Sequence, residues 1–198
     1  IQKQSKILVD AEHNCIHHEI NTTVDKFVKE YNKKEVHLYK TIQMYRTDSF
    51  PMLKADLQKD RQHKVGIKLV RGAYYNQDFT HDILYPTIQQ THENYNKGIL
   101  HFANHSLKED VLMCATHNEK SISIAKEIVP FHQLEFAHLL GMSDKMSLEL
   151  SKENYKMFKN SKKKKKEEEM ILNAIQAQTF SRTGLGHATL FLNIPCNH

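Results

Sequence analysis

The chain has 198 residues, 39% of them hydrophobic, no tryptophan and a mean hydropathy of −0.62, enough for one ordinary domain with a sizeable core. Of its formal charge of +5, residues 161–198 supply +3, from six Lys/Arg against three Glu; the body, left near +2, is not read as a nucleic-acid surface. The odd trio Cys15, Cys114 and Cys196 lacks metal spacing and fits a reducing compartment better than a disulfide framework, and no apolar run approaches membrane-spanning length. The chain opens on Ile1, so any signal or transit peptide is expected outside it.

A short strand is predicted over residues 6–9, ending in Asp10-Ala11-Glu12-His13-Asn14. Residues 18–33 read as a helix, with Ile20, Val24, Phe27, Val28 and Tyr31 on one face. A second strand follows over 36–45 and includes Gln43. Residues 49–63 are predicted helical, with Ser49 as N-cap, Pro51 in the first turn, and Leu53 and Leu57 facing inward. The apolar run 65–70 is the central strand. A polar loop over 76–86 then leads to a helix over about 87–103. Residues 111–115 form the fourth strand, and Asn118 caps a helix running to Val129 before Pro130. A fifth strand is expected over 134–140, then a short helix, then a sixth strand starting at 155–158.

Strand and helix alternate, which implies parallel strands with crossover helices. Polar residues gather just after each strand, so Asp10, Gln43, Lys68, Arg71, Thr116 and His117 are expected on one rim. In a (β/α) barrel that C-terminal rim carries the chemistry. An open doubly wound sheet would also collect residues at strand ends, but no Gly-x-Gly-x-x-Gly occurs.

The central strand is chemically odd. Lys68 sits inside it, which is costly unless an anion meets it. The strand then exits through Arg71-Gly72-Ala73, where small residues let a flat or anionic ligand approach the main chain. Plainer roles compete. Lys68 and Arg71 would snorkel to solvent, Asp10 would cap a loop, Gln43 would satisfy a backbone group, and Thr116 and His117 would shape the turn before Asn118. The His13, Cys15, His17, His18 cluster matches no common zinc spacing, so no metal is assigned.

Five motifs then occur in order: Val9-Asp10-Ala11-Glu12; Gln43; Lys68-Leu69-Val70-Arg71-Gly72-Ala73-Tyr74; Ala115-Thr116-His117-Asn118-Glu119; and Leu140-Gly141-Met142-Ser143-Asp144. Over about residues 6–158 the chain resembles the proline dehydrogenase family, in the Lys-Leu-Val-Arg form of its eukaryotic, mitochondrial branch. The resemblance implies a distorted (β/α)8, TIM-like barrel with FAD across the strand C-termini. It implies oxidation of L-proline to Δ1-pyrroline-5-carboxylate, a quinone as electron acceptor, and a place at the mitochondrial inner membrane on its matrix side. By the same resemblance, Lys68 and Asp10 are the catalytic residues, Lys68 by the reactive edge of the flavin and Asp10 at the substrate end. Ala11, Gln43, Arg71, Gly72, Ala73, Thr116 and His117 contact the cofactor. Tyr74 and Leu139 wall the proline pocket.

The pattern breaks at both ends. A (β/α)8 barrel takes about 250 residues, and the match begins at what resembles the fourth strand, past the family's earlier strands and a lysine it uses near the substrate. After Phe158 the family continues to a helix with two adjacent arginines that grip the substrate carboxylate. Here Lys159-Asn160-Ser161 leads into Lys162 to Lys166 and Glu167 to Glu169, and no Arg-Arg pair occurs. The expected organisation is an incomplete barrel over 1–160 and an unrelated, solvated tail over 161–198. Open strand edges then predict a chain that is marginal, prone to aggregate and poor at oxidising proline. The alternatives are hydroxyproline oxidation, a non-catalytic fragment or paralogue, and, ranked lowest, a nucleic-acid or membrane-surface module using the Lys-rich tail.

Overall fold

The computed structural model describes residues 6–12, 14–78 and 82–160; the Lys/Glu-rich stretch 161–198 lies outside the described residues. The strands are β1 (Ile7–Val9), β2 (Leu38–Gln43), β3 (Gly66–Val70), β4 (Val111–Ala115), β5 (Leu134–Leu139) and β6 (Lys156–Asn160). The helices are α1 (Asn14–Tyr31), α2 (Ser49–Asp56), α3 (Tyr75–Asp78), α4 (Ile88–His105), α5 (Glu119–Ile128) and α6 (Asp144–Lys152). The six strands form one sheet in chain order, β1-β2-β3-β4-β5-β6. The pairings from β1 to β5 are parallel.

Two observations separate this sheet from a doubly wound one. The strand order never reverses. All five longer helices also pack on a single face: Val24 and Val28 of α1, Leu53 of α2, Tyr95, Ile99 and Phe102 of α4, Ile122 and Ala125 of α5, and Leu150 of α6 share one core with Leu38, Ile42, Ile67, Leu69, Leu112 and Phe136 of the strands. The opposite face carries a smaller cluster, Val36, Tyr39, Met113 and Ala137. One helical layer outside and side chains inside is the layout of a (β/α)8-type barrel, of which this is an incomplete arc.

Local chemistry fixes the helix ends. Asn32 is fully buried after α1. Its Nδ2 donates to the Leu38 carbonyl at 2.8 Å, and its Oδ1 accepts from the amides of His37 and Leu38 at 3.0 and 2.9 Å. Thr87 caps α4 by accepting from Gln90 N at 3.2 Å, and Asn118 caps α5 by accepting from Ser121 N at 3.0 Å. Ser49 does not cap α2. Asp48 holds the cap position without a side-chain bond, and the buried Ser49 hydroxyl donates to the Arg46 carbonyl at 2.7 Å. That helix stops at Asp56 rather than 63, because no apolar residue follows Leu57 until Val65 to hold another turn on the sheet. The predicted loop over 76–86 contains α3 at its start and an antiparallel bridge from Leu84 to Arg46.

Gly66 is required by packing. A Cβ there would lie 2.4 Å from Val36 Cγ1 and 3.0 Å from both the Leu38 carbonyl oxygen and the Tyr39 ring. Backbone on one side and a buried ring on the other leave little room to give. Gly66→Ala is therefore expected to destabilise the fold by about 1–3 kcal/mol, read as a lower urea midpoint; an unchanged midpoint would contradict this packing.

Candidate active site

Strand parity decides which side chains meet. In register, Thr41 of β2 pairs with Lys68 of β3, Lys68 with Met113 of β4, and Met113 with Glu135 of β5. These four therefore form one layer on the inner face. Lys68 is the cation of that layer, with its side chain only 7% exposed. Its Nζ donates to Asp10 Oδ1, just past the end of β1, in a close ion pair. The lysine in the strand is thus met by an anion, which a buried ammonium needs. Asp10 is 36% exposed and keeps one side in water.

Gln43, at the end of β2, is buried on the same face by parity, and its Oε1 has no hydrogen-bond partner. Thr41 Oγ1 is likewise buried and unpartnered. A buried acceptor without a donor costs about 1–3 kcal/mol, so Gln43 marks a place where a ligand N–H would be rewarded. Ala11 follows Asp10 and is partly buried, Ala73 is exposed, and Leu139 closes β5 partly buried on the inner face.

Arg71 is three residues beyond Lys68, so it turns to the helix side. Its guanidinium stacks on the Tyr95 ring at 4.3 Å. It donates from Nε to His92 Nδ1 at 2.8 Å, from Nη2 to Ser121 Oγ at 2.9 Å, and from Nη1 to Thr116 Oγ1. Thr116 Oγ1 also accepts from Asn118 N at 3.1 Å. The motif's two cations thus serve opposite sides of β3. Burial lowers the Arg71 pKa, and its stacking and hydrogen bonds hold the ion in place.

Gly72 has φ +130°, and a Cβ there would lie 2.4 Å from the Tyr45 ring. Packing against Tyr45 alone therefore demands glycine at this position. The Tyr45 hydroxyl donates to Asp78 Oδ2 at 2.8 Å, and Asp78 Oδ1 accepts from Asn14 N at 2.9 Å. These bonds tie the loops after β1, β2 and β3 together. Burial, then the hydrogen bond to Asp78, raises the Tyr45 pKa, keeping it a neutral donor. The Tyr74 hydroxyl donates to Glu12.

One inner network was not anticipated from the sequence. Glu135, only 2% exposed, is ion-paired with Lys6 and accepts from the Tyr39 hydroxyl at 2.8 Å. Lys6 also donates to the Tyr39 oxygen at 2.6 Å. The signal was present: a lone acid in Leu-Glu-Phe-Ala-His-Leu demands a buried partner as plainly as Lys68 does.

Among the described residues, His17, His63, His92, His101 and His138 have pKa values below the ordinary 6.5, first because burial disfavours the charged ring. Unfolding lets each bind a proton more readily, so stability rises with pH across this range. The contribution is full above the unfolded value and is lost as pH falls through the folded ones. A urea midpoint at about pH 7.5 is expected to exceed that at about pH 5, with the raised pKa of partly buried Asp56 pulling the other way; a higher midpoint at pH 5 would contradict the desolvation of these rings.

Fold and rim define the class: a (β/α)8-type barrel segment whose strand ends bring together a buried ammonium, its carboxylate and an unfilled amide acceptor. The chain matches the family described as Proline dehydrogenase over residues 1–161, and it belongs to that family. Proline dehydrogenase 1, mitochondrial, from Dictyostelium discoideum is 31% identical, over 80% of this chain and 31% of that protein. The human protein of the same name is 27% identical, over 78% and 29%. Hydroxyproline dehydrogenase of Xenopus laevis is also 27% identical, over 78% and 37%. Among solved structures, proline utilization A from Bdellovibrio bacteriovorus, inactivated by N-propargylglycine, aligns with a TM-score of 0.71 at 20% identity, over 79% of this chain and 18% of that one; the likeness is one of fold. The chain spans about a third of the length of these curated relatives.

Proposed function

We propose that this chain carries the strand-end part of an FAD-dependent site that oxidises L-proline to Δ1-pyrroline-5-carboxylate, delivers the electrons to a quinone, and works in the mitochondrion, on the matrix side of the inner membrane. One observation carries the reading: Lys68, held by Asp10, shares the inner face with the unpartnered Gln43 Oε1. Membership of the proline dehydrogenase family and the mitochondrial names of relatives support it.

The residues fit a flavin. The isoalloxazine offers an N–H to an amide oxygen, and Gln43 Oε1 is a buried acceptor that lacks one. When bound, FAD supplies the two-electron acceptor for the hydride at proline C5. Lys68 would place a positive charge where negative charge builds on the ring during reduction. Asp10 holds that side chain aimed, and its exposed side would order charge at the substrate end. Ala11, Gly72 and Ala73 would leave the main chain open to close approach. Arg71, Thr116 and His117 would hold the ribityl and diphosphate portion at the helix-side edge of the rim. Tyr74, oriented by Glu12, and Leu139 would wall the proline pocket.

The test is titration of the chain with FAD, followed by anaerobic addition of L-proline and, separately, hydroxyproline. Flavin retention followed by bleaching with L-proline supports the reading, and preferential bleaching by hydroxyproline would reassign the substrate. Retention without bleaching by either would mark a non-catalytic member. A chain that retains no flavin would overturn the cofactor assignment.

A further inference from the structure

His138 belongs to none of the five motifs, yet it lies against one of them. Strands β4 and β5 are paired with Ala115 opposite Ala137, so Thr116-His117 leaves β4 beside His138. His138 is 2% exposed. Its Nδ1 shares a 2.7 Å hydrogen bond with Ser147 Oγ, and Ser147 is itself buried in the first half of α6. Its ring centroid lies 4.8 Å from that of His117, tilted by 37°. The Thr116 carbonyl also faces the His138 ring. Two nitrogens of the pair, His138 Nε2 and His117 Nδ1, are buried without a hydrogen-bond partner.

We propose that His138 is a positioning residue: clamped to α6 by Ser147, it fixes the Thr116-His117 strand end and the ring plane of His117, so that His117 presents its unused Nδ1 to the oxygen-rich ribityl-diphosphate chain of the cofactor. The identity of that ligand rests on the flavin reading above; the coupling of the two rings does not.

The logic is one of tautomers and rotors. A neutral imidazole carries one hydrogen, and the hydrogen bond at one nitrogen decides the state of the other. Where the Ser147 hydroxyl donates to Nδ1 the ring hydrogen sits on Nε2, and where it accepts the hydrogen sits on Nδ1; either way the Ser147 bond sets the tautomer of His138. Burial, and next the neighbouring His117, keep the ring neutral. The ring then stands as a flat wall against which His117 packs. Without Ser147, Nδ1 loses its partner, both tautomers and both ring flips become accessible, and the wall loosens.

The experiment uses the full chain, with nitrogen-15 NMR of the imidazole rings and FAD titration side by side, on the parent, Ser147→Ala, His138→Gln and Leu150→Ala. Leu150 is a buried α6 core residue one turn beyond Ser147 whose apolar side chain takes no part in the hydrogen bond, so its variant reports generic loosening of that helix. The proposal expects Ser147→Ala and His138→Gln to shift the ring nitrogens of His117 and to weaken FAD binding by roughly 5–10-fold, the size of one positioned hydrogen bond. Leu150→Ala should lower stability while leaving both nearly unchanged. Should His138→Gln fail to fold, Ser147→Ala decides alone. His117 resonances that do not move in a folded Ser147→Ala chain, or that move equally in Leu150→Ala, would overturn the proposal. If the parent retains no flavin, the cofactor reading fails, and the ring shifts still decide the coupling.

Discussion

Lys68→Met is expected, on the proposed flavin reading, to slow any bleaching of bound flavin by L-proline by on the order of 10²–10³-fold, the usual cost of removing one preorganised charge from the place where charge develops. Methionine nearly matches the lysine stem in length and is apolar, so it fills the same space between Thr41 and Met113. Asp10 is left without its cation, but it is exposed enough to turn to water, so the fold should survive. On the proposed reading, flavin retention should change only a few-fold, because Gln43 and the outer residues would still hold the cofactor. Lys68→Arg keeps a cation and should recover part of the rate. Anaerobic stopped-flow absorbance separates the steps; a methionine variant that bleaches at the parent rate would remove Lys68 from the chemistry.

Asp110→Ala is expected to cost about 3–5 kcal/mol, the penalty for stripping one partner from a buried ion pair. Asp110 is fully buried. Its Oδ1 accepts from Val65 N at 2.9 Å, and its Oδ2 accepts from Leu107 N and from Arg61 Nη2. The Arg61 side chain is 5% exposed, and its Nε already lacks a partner. Alanine leaves two amides and a buried guanidinium without their acceptor. Against a whole-domain stability of about 5–15 kcal/mol, the loss should appear as a large drop in urea midpoint or as failure to accumulate soluble protein. Asp110→Asn, which keeps one acceptor, should fall between. An alanine variant within about 1 kcal/mol of the parent would show that the cluster contributes little.

This cluster also marks where sequence reading stops. Strands β3, β4 and β5 are legible to within a residue, because short apolar runs end in polar residues and glycines. That Lys68 needs an anion is implied by cost alone; that the anion is Asp10 comes from the structure. Helix α2 ends where the polar run after Leu57 withholds the apolar residue another turn needs, a local signal; that Arg61 in this run is claimed by Asp110, 49 positions later, is not local. Arg71 and Lys68 stand in one motif, yet Lys68 meets Asp10 on the inner face while Arg71, just past the end of β3, stacks on Tyr95 on the helix side. Glu135 was passed over although it violates the same rule that singled out Lys68. What stayed illegible is the pairing of side chains across many intervening residues, which sequence spacing does not encode.

The chain-order sheet has a consequence for biosynthesis. Each of the five strand pairings joins segments that are successive in the polypeptide, so no strand must wait for a partner made much later. As the ribosome delivers each strand and its helix, the edge that receives it has just been laid down. The unit can grow sideways during translation, like planks added to a hull, and its most recently added plank is always the one secured on a single side.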